Sequence, residues 1–409
     1  MQIALFYHSL LSDWNHGNAH FLRGIVSELL DRGHTVRVYE PQNGWSRMNL
    51  IHDYGPAALD GFHAAYPNLD SILYSRDSLD LDRELKNTDA VMVHEWNEPE
   101  LVARIGQHRK HSGRYALLFH DTHHRAATAP DQMSQYDLSN FDGVLAFGEV
   151  LRRIYLDRGW AKRAWTWHEA ADVRIFHPPA PGNHRRKKDL IWVGNWGDEE
   201  RTTELRDFVV QPARELGLET EFYGVRYPEE ARAELQQAGI AYRGWLANYR
   251  VPETFAYFRF TVHIPRRPYT QALPGIPTIR VFEALACGVP LISSPWQDCE
   301  NLFKPGDEFL MARNGDEMRA YMRTLIKEPG LARELARKGL RRIHEQHTCA
   351  HRVDQLLQIL KELGIGVSKV SLTPRPKPTD GHAWKQRDGR TTRLPLAGSR
   401  APKAGRDRQ

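Results

Sequence analysis

Short apolar runs alternate with amphipathic stretches along most of the chain, a pattern that predicts parallel sheets covered by helices on both faces. In the first half, Ile3–His8, Thr35–Glu40, Ala90–His94, Tyr115–His120 and Gly143–Phe147 read as strands. Ala19–Arg32, Pro99–Lys110 and Glu149–Arg158 carry apolar residues at helical spacing, and Gly33 closes the first of them. A strand-like Trp165–His168 precedes ADVRIFHPPAPGNHRRKKD, rich in proline and then in charge, which predicts a linker over 173–188. The alternation then restarts. Leu190–Val193, Glu219–Tyr223, Ala241–Trp245 and Phe260–Ile264 read as strands, and Thr202–Leu216, Glu229–Ala238 and Val251–Phe258 as helices. Two long helices, Gly315–Lys327 and Leu331–Leu363, close the body. The expectation is an α/β chain of two doubly wound, Rossmann-like domains, 1–172 and 189–363, facing a central cleft. Ligands of such sheets lie beyond the carboxyl ends of the strands.

Composition adds limits. The 409 residues are 41% hydrophobic and 26% charged, as in a soluble globular protein. No run of eighteen apolar residues predicts a membrane span. The start, MQIALFYHSLLSDWNHG, lacks the basic region of a signal peptide. Three cysteines, Cys287, Cys299 and Cys349, show no CxxC spacing, and a reduced, cytoplasmic setting follows. Of the net charge of +5, residues 367–409 supply +8, so the rest carries −3. The folded part therefore does not predict nucleic-acid binding. The tail, 364–409, reads as a disordered, solvated extension; contact with nucleic acid or anionic lipid is the alternative.

The richest segment is Pro274–Pro295, PGIPTIRVFEALACGVPLISSP. Thr278 is placed to cap a helix that Gly288 ends, and a buried strand, Val289–Ser293, follows. Backbone N–H groups around Thr278, Ile279 and Arg280 suit an anion. Glu283 lies roughly 7–8 Å further along the axis, about the distance from a diphosphate to ribose hydroxyls. A simple Arg280–Glu283 pair accounts for the acid equally well.

Other strand ends carry further candidates. HDTHHR places Asp121 and His120 to take a proton from a hydroxyl, with His124 beside them. A metal site there is the weaker alternative, since no second ligand cluster is marked. In HEWNEPE, Glu95 suits a sugar hydroxyl and Trp96 a sugar face, or Asn97–Glu98 simply cap the next helix. The first loop offers Asn15 and Asn18 as hydrogen-bonding groups and Gly17 for close backbone approach. In the second half, Gly194 and Asn195 could present N–H groups to phosphate, Arg201 could add charge, and Tyr223 could pack on a flat base. Arg266 and Arg267 precede the Thr278 helix and suit a diphosphate. Neither GxGxxG nor GxxxxGK[ST] occurs, so a Rossmann dinucleotide site and a P-loop are unsupported.

The Gly33-His34 junction, EAADVRIFHP and FEALACGVPLISS are similar to the family-4-like group of GT-B glycosyltransferases. HDTHHR, PTIRVFEALACG and HTCAHR resemble, more narrowly, proteins of the spore maturation protein CgeB-like group. The resemblance spans nearly all of residues 1–363. It implies a nucleotide-sugar donor in the C-terminal domain and a hydroxyl-bearing acceptor (a glycan, a lipid-linked or a small molecule) in the N-terminal one. It maps the ribose-holding acid onto Glu283 and the diphosphate site onto Thr278–Arg280. It further implies no metal or other cofactor, and stereochemical retention. Two departures stand out. The second glutamate of the family-4 pattern, eight residues before Glu283, is Gly275 here. The usual basic pair after the first strand of the second domain is missing from GNWGDEE, with Arg201, Arg266 or Arg267 as substitutes. The rival expectations are an epimerase or hydrolase of nucleotide sugars on the same fold, and a non-catalytic homologue in a spore or surface assembly.

Overall fold

A computed structural model describes residues 1–179 and 188–366. It holds two all-parallel sheets. The first contains β1 (Gln2–Phe6), β2 (Thr35–Pro41), β3 (Ser71–Tyr74), β4 (Ala90–His94), β5 (Ala116–Asp121), β6 (Gly143–Ala146) and β7 (Ala164–Thr166), in the order β3-β2-β1-β4-β5-β6-β7. The second contains β8 (Lys188–Val193), β9 (Thr220–Tyr223), β10 (Ala241–Tyr242), β11 (Phe258–His263), β12 (Leu291–Ser293) and β13 (Leu310–Met311), in the order β10-β9-β8-β11-β12-β13. Both orders reverse beside the first strand, β1 next to β4 and β8 next to β11. Each reversal opens a crevice at the carboxyl ends. Every residue of β4 and β5 is buried, as strands covered on both faces require. Register pairs His94 with His120 and Asp121 with Ala146, which brings the polar strand ends side by side.

Most predicted elements are present within a residue or two. The edge strands β3 and β13 and the helix Trp45–Tyr54 were not predicted. Thr202–Leu216 is helical throughout but passes through a π turn at Arg206–Val210, next to Pro212, whose ring has no N–H for the ladder. The long closing helix is two helices, Pro329–Gln346 and Cys349–Glu362. Thr348 breaks it by accepting the His351 N–H, in a capping box that the His351 ring completes. Sequence placed this last helix in the second lobe, yet it packs on the first. Cys349 N donates to Ala171 O, and the Arg352 guanidinium reaches His168 O and Glu169 O. At Gly24 of the helix Asn18–Asp31, a Cβ would come within 2.4 Å of Cys349 Sγ, so the two helices meet at close range.

Of the predicted linker, Phe176 is buried and Lys188 already belongs to β8, while 180–187 lie outside the described residues, as do 367–409 of the tail. Among the described residues no helix is long and apolar enough to cross a membrane.

Candidate functional site

The carboxyl ends of both sheets open into one cleft of about 1300 Å³. Its second-lobe wall is cationic. Arg201, Arg266 and Arg280 all line it, around the start of the helix Ile279–Ala286. Arg280 pairs with Glu283, and Arg266 with Glu200 at 3.2 Å. Arg201 has no ion-pair partner among the described residues. It donates to Ile264 O at 2.9 Å, to Asn195 O at 2.8 Å and to the Asn195 side chain, and it lies over the Trp192 ring. Its buried Nε has no hydrogen-bond partner. Burial, and then Arg266 and Arg280, pull its pKa down to about 9. Three guanidiniums crowded with one of them unbalanced favour an anion between them.

The helix start supports the same reading. Thr278 has extended backbone and does not cap with its side chain; its hydroxyl pairs with His263 Nε2 at 3.0 Å instead. His263 is buried, with a pKa lowered to about 3, and stands neutral. Glu169 also lines the cleft and accepts a hydrogen bond from Ile279 N. Burial, and then Glu283, raise its pKa to about 8, so at neutral pH it sits there largely protonated. An uncharged carboxyl leaves the positive helix end unneutralised for a ligand.

The first-lobe wall is made of imidazoles and indoles. His8, His16, His123 and His124 line it with Trp45 and Trp96. His8 Nε2 and His16 Nδ1 lie 3.3 Å apart. Asn18 Nδ2 meets His94 Nε2 at 3.0 Å, which in turn meets Thr122 Oγ1 at 3.0 Å. Asn15 and Asn195 are hydrogen-bonded across the cleft.

Of the residues singled out in sequence, the cleft gathers Asn15, Gly17, Asn18, Trp96, His124, Gly194, Asn195, Arg266, Thr278, Ile279 and Arg280. Gly17 serves a different approach from the one expected: a Cβ there would come within 2.7 Å of Ile279 Cγ2, so it lets the two lobes close on each other. Six expected residues stay out of the lining. Asp121 is fully buried, accepting from Tyr155 OH at 2.8 Å and from His123 N at 2.9 Å, with its pKa raised by burial. His120 is fully buried, with Nδ1 on Tyr7 OH at 2.7 Å and a pKa lowered to about 3 by burial. Glu95 is committed to Arg125. Tyr223 donates to Glu221 at 2.7 Å, leaving Val225, Arg226, Trp245 and Leu246 as the cleft's lining at that end. Arg267 turns to Glu204.

Glu283 is the sixth residue outside the lining. It is fully buried behind the lining, held by His20 Nδ1 at 2.9 Å, Asn248 Nδ2 at 2.7 Å and Arg280. The local Arg280 pair is real, and partners from both lobes fill the remaining oxygen sites. Its carboxylate holds Arg280 and Asn248, both of which line the cleft. At Gly275, φ is +92°, and a Cβ would lie within 2.8 Å of Cys299 Sγ and 3.0 Å of Glu300, so a glutamate has no room at this position.

Sequence reasoning missed Trp45, His8, His16, His263 and Glu169. Trp45 lies in a stretch with no predicted element, and Glu169 stands in EAADVRIFHP, which drew notice only as a family resemblance.

A family model described as glycosyl transferase-like matches residues 201–358, which span Arg201 and the Thr278 helix. No curated protein matches the sequence significantly. Among solved structures, sucrose-phosphate synthase from Thermosynechococcus elongatus is similar at 15% identity and a TM-score of 0.60, over 89% of this chain and 99% of that one. Anabaena HepE, in complex with UDP and glucose, is similar at 12% identity and a TM-score of 0.62, over 88% and 100%. An α-glucosyltransferase in complex with UDP-glucose and DNA containing an abasic site is similar at 11% identity and a TM-score of 0.65, over 88% and 99%. At such identities the likeness establishes architecture: the chain has the two-sheet α/β fold of GT-B glycosyltransferases.

Proposed function

We propose that the chain is a glycosyltransferase that moves a sugar from a nucleoside diphosphate to an acceptor hydroxyl. The carrying observation is the unbalanced Arg201, with Arg266 and Arg280, at the open start of the helix Ile279–Ala286. An unpaired buried guanidinium is costly, and a diphosphate relieves it. The glycosyl transferase-like match over this lobe and the UDP held by HepE support the same ligand class. The motif resemblance supports placement in the family-4-like group near the CgeB-like proteins. The free cysteines Cys287, Cys299 and Cys349 fit a cytoplasmic setting.

In this reading the nucleobase lies against Val225–Arg226 and Trp245–Leu246, and the diphosphate between the arginines and the helix start. The arginines stabilise the charge that develops as the bond from the sugar to the diphosphate breaks. The acceptor oxygen forms the new bond to the same carbon, and its proton passes to the departing diphosphate. This route gives retention and needs no carboxylate from Asp121. The arginines and helix end supply the counter-charge that a metal would otherwise provide. Product anomer configuration by NMR tests retention; an inverted product contradicts it.

A thermal-shift screen of UDP-, GDP-, TDP- and CMP-sugars tests the reading as a whole. A true donor at about 100 times its Kd adds about 2.7 kcal/mol of stability. Loss of every shift across the four nucleotides overturns it.

A further inference from the structure

The two walls of the cleft differ in kind. Trp45 and Trp96 are 49% and 41% exposed, and both line the cleft on the first-lobe side. Indoles left in water at a cavity wall mark a binding surface. They frame His16, whose ring centre lies 5.8 Å from Trp45 and 6.4 Å from Trp96. The Arg125 guanidinium backs Trp96 at 4.1 Å, and that of Arg226 lies 5.9 Å from Trp45. Trp96 is thus backed from its own lobe, and Trp45 is met by Arg226 from the second.

Around them sit buried polar atoms with no hydrogen-bond partner: His8 Nδ1, Asn18 Oδ1, His123 Nδ1, His124 Nε2 and Arg125 Nε. Each belongs to a residue that lines the cleft. These atoms are themselves covered, but beside them the cleft is lined by the uncharged polar side chains of Asn15, His16 and Asn18, which a ligand carrying several hydroxyl groups would meet. A phenol, with one hydroxyl, would not.

Charge narrows the class further. Arg125 is paired with Glu95, and Arg76 with Glu98 at 2.9 Å. Burial lowers the pKa of His16 and His124 to about 4 and that of His123 to about 2, so these rings are neutral. Unlike the arginine wall opposite, this one offers an anion no unbalanced cation.

Resting on the glycosyltransferase reading, we infer that the acceptor is an uncharged saccharide whose rings stack on Trp45 and Trp96 while its hydroxyls meet the imidazole and amide side chains that line the same wall. Aromatic faces interleaved with neutral hydrogen-bonding groups match a sugar ring, which has an apolar face and a polar rim.

Saturation-transfer NMR on the full chain tests this with cellotriose, maltotriose and chitotriose, each with and without UDP. Glucose 6-phosphate and 4-nitrophenol serve as comparators. At least one trisaccharide is expected to bind, more tightly than either comparator. Trp96→Ala and Trp45→Ala should each weaken it at least tenfold, Trp96→Phe should largely restore it, and UDP affinity should stay unchanged in the two Trp96 variants. Absence of trisaccharide binding, tighter binding of a comparator, or indifference to both alanine variants overturns the inference. A chain that binds a trisaccharide but not UDP keeps this subsite and loses the glycosyltransferase reading; one that binds UDP but no trisaccharide does the reverse.

Discussion

Glu169 and Asp121 are both buried acids near strand ends, and their surroundings give them opposite prospects. Glu169 faces the cleft, and its pKa of about 8 lies above the ordinary 4.5. A raised acid pKa means that ionisation works against the fold. The stability this residue permits is therefore full below about 4.5 and falls as pH rises toward about 8. Once ionised, the carboxylate also competes with a diphosphate for the helix start. UDP affinity measured by calorimetry should accordingly fall between pH 7 and pH 9, and Glu169→Gln should flatten that fall; an unchanged slope in the variant would remove Glu169 from the site. Asp121 is sealed between Tyr155 and the His123 backbone. Losing a general base typically costs about 10²–10⁴ in rate, so Asp121→Asn should change turnover by less than about tenfold. A hundredfold drop in kcat with normal folding would restore Asp121 as the base. Sequence pointed to this loop without showing which of its side chains reach the cleft. Burial and the Tyr155 contact, from a helix 34 positions away, turn Asp121 inward, while His123 and His124 face the ligand space.

The helix Ile279–Ala286 shows how an element legible in sequence can carry a residue whose partners are not. Its apolar spacing and Gly288 stop were plain, and its start does face the cleft. The role of Glu283 was hidden because two of its three partners, His20 and Asn248, lie far away in sequence, one of them in the other lobe. Glu283→Ala leaves those groups and Arg280 without their acceptor. Breaking a buried ion pair by removing one member costs about 3–5 kcal/mol, so chemical denaturation should show a loss of that order, with weaker UDP binding through a misaimed Arg280. A loss below about 1 kcal/mol would contradict this structural role. Elements went unseen for equally local reasons. β3 is a four-residue edge strand, SILY, only partly buried, and Thr348 breaks the closing helix without a glycine or proline to announce it.

At the scale of the whole molecule, two parallel sheets were legible because strands buried on both faces read as apolar runs. What the sequence left open was how the lobes engage. Asp13 joins them by accepting from Arg23 in the first lobe and from Trp245 and the Asn248 backbone in the second. Glu300 of the second lobe caps the helix Glu149–Asp157 of the first and pairs with His168 at 3.0 Å. These contacts bring a cationic wall and a neutral aromatic wall to one space, an arrangement that suits the proposed transfer between a charged donor and an uncharged acceptor. The central claim is that the arginine wall holds the donor's diphosphate, and Arg201 isolates it, since this residue has no carboxylate whose loss would confuse the outcome. Titrating UDP into the intact chain and into Arg201→Ala by calorimetry tests it directly. Wild type should bind, and the variant, shown to be folded by circular dichroism, should bind at least about tenfold more weakly, the share of a charge-assisted hydrogen bond. Equal affinity in the two proteins would contradict the account.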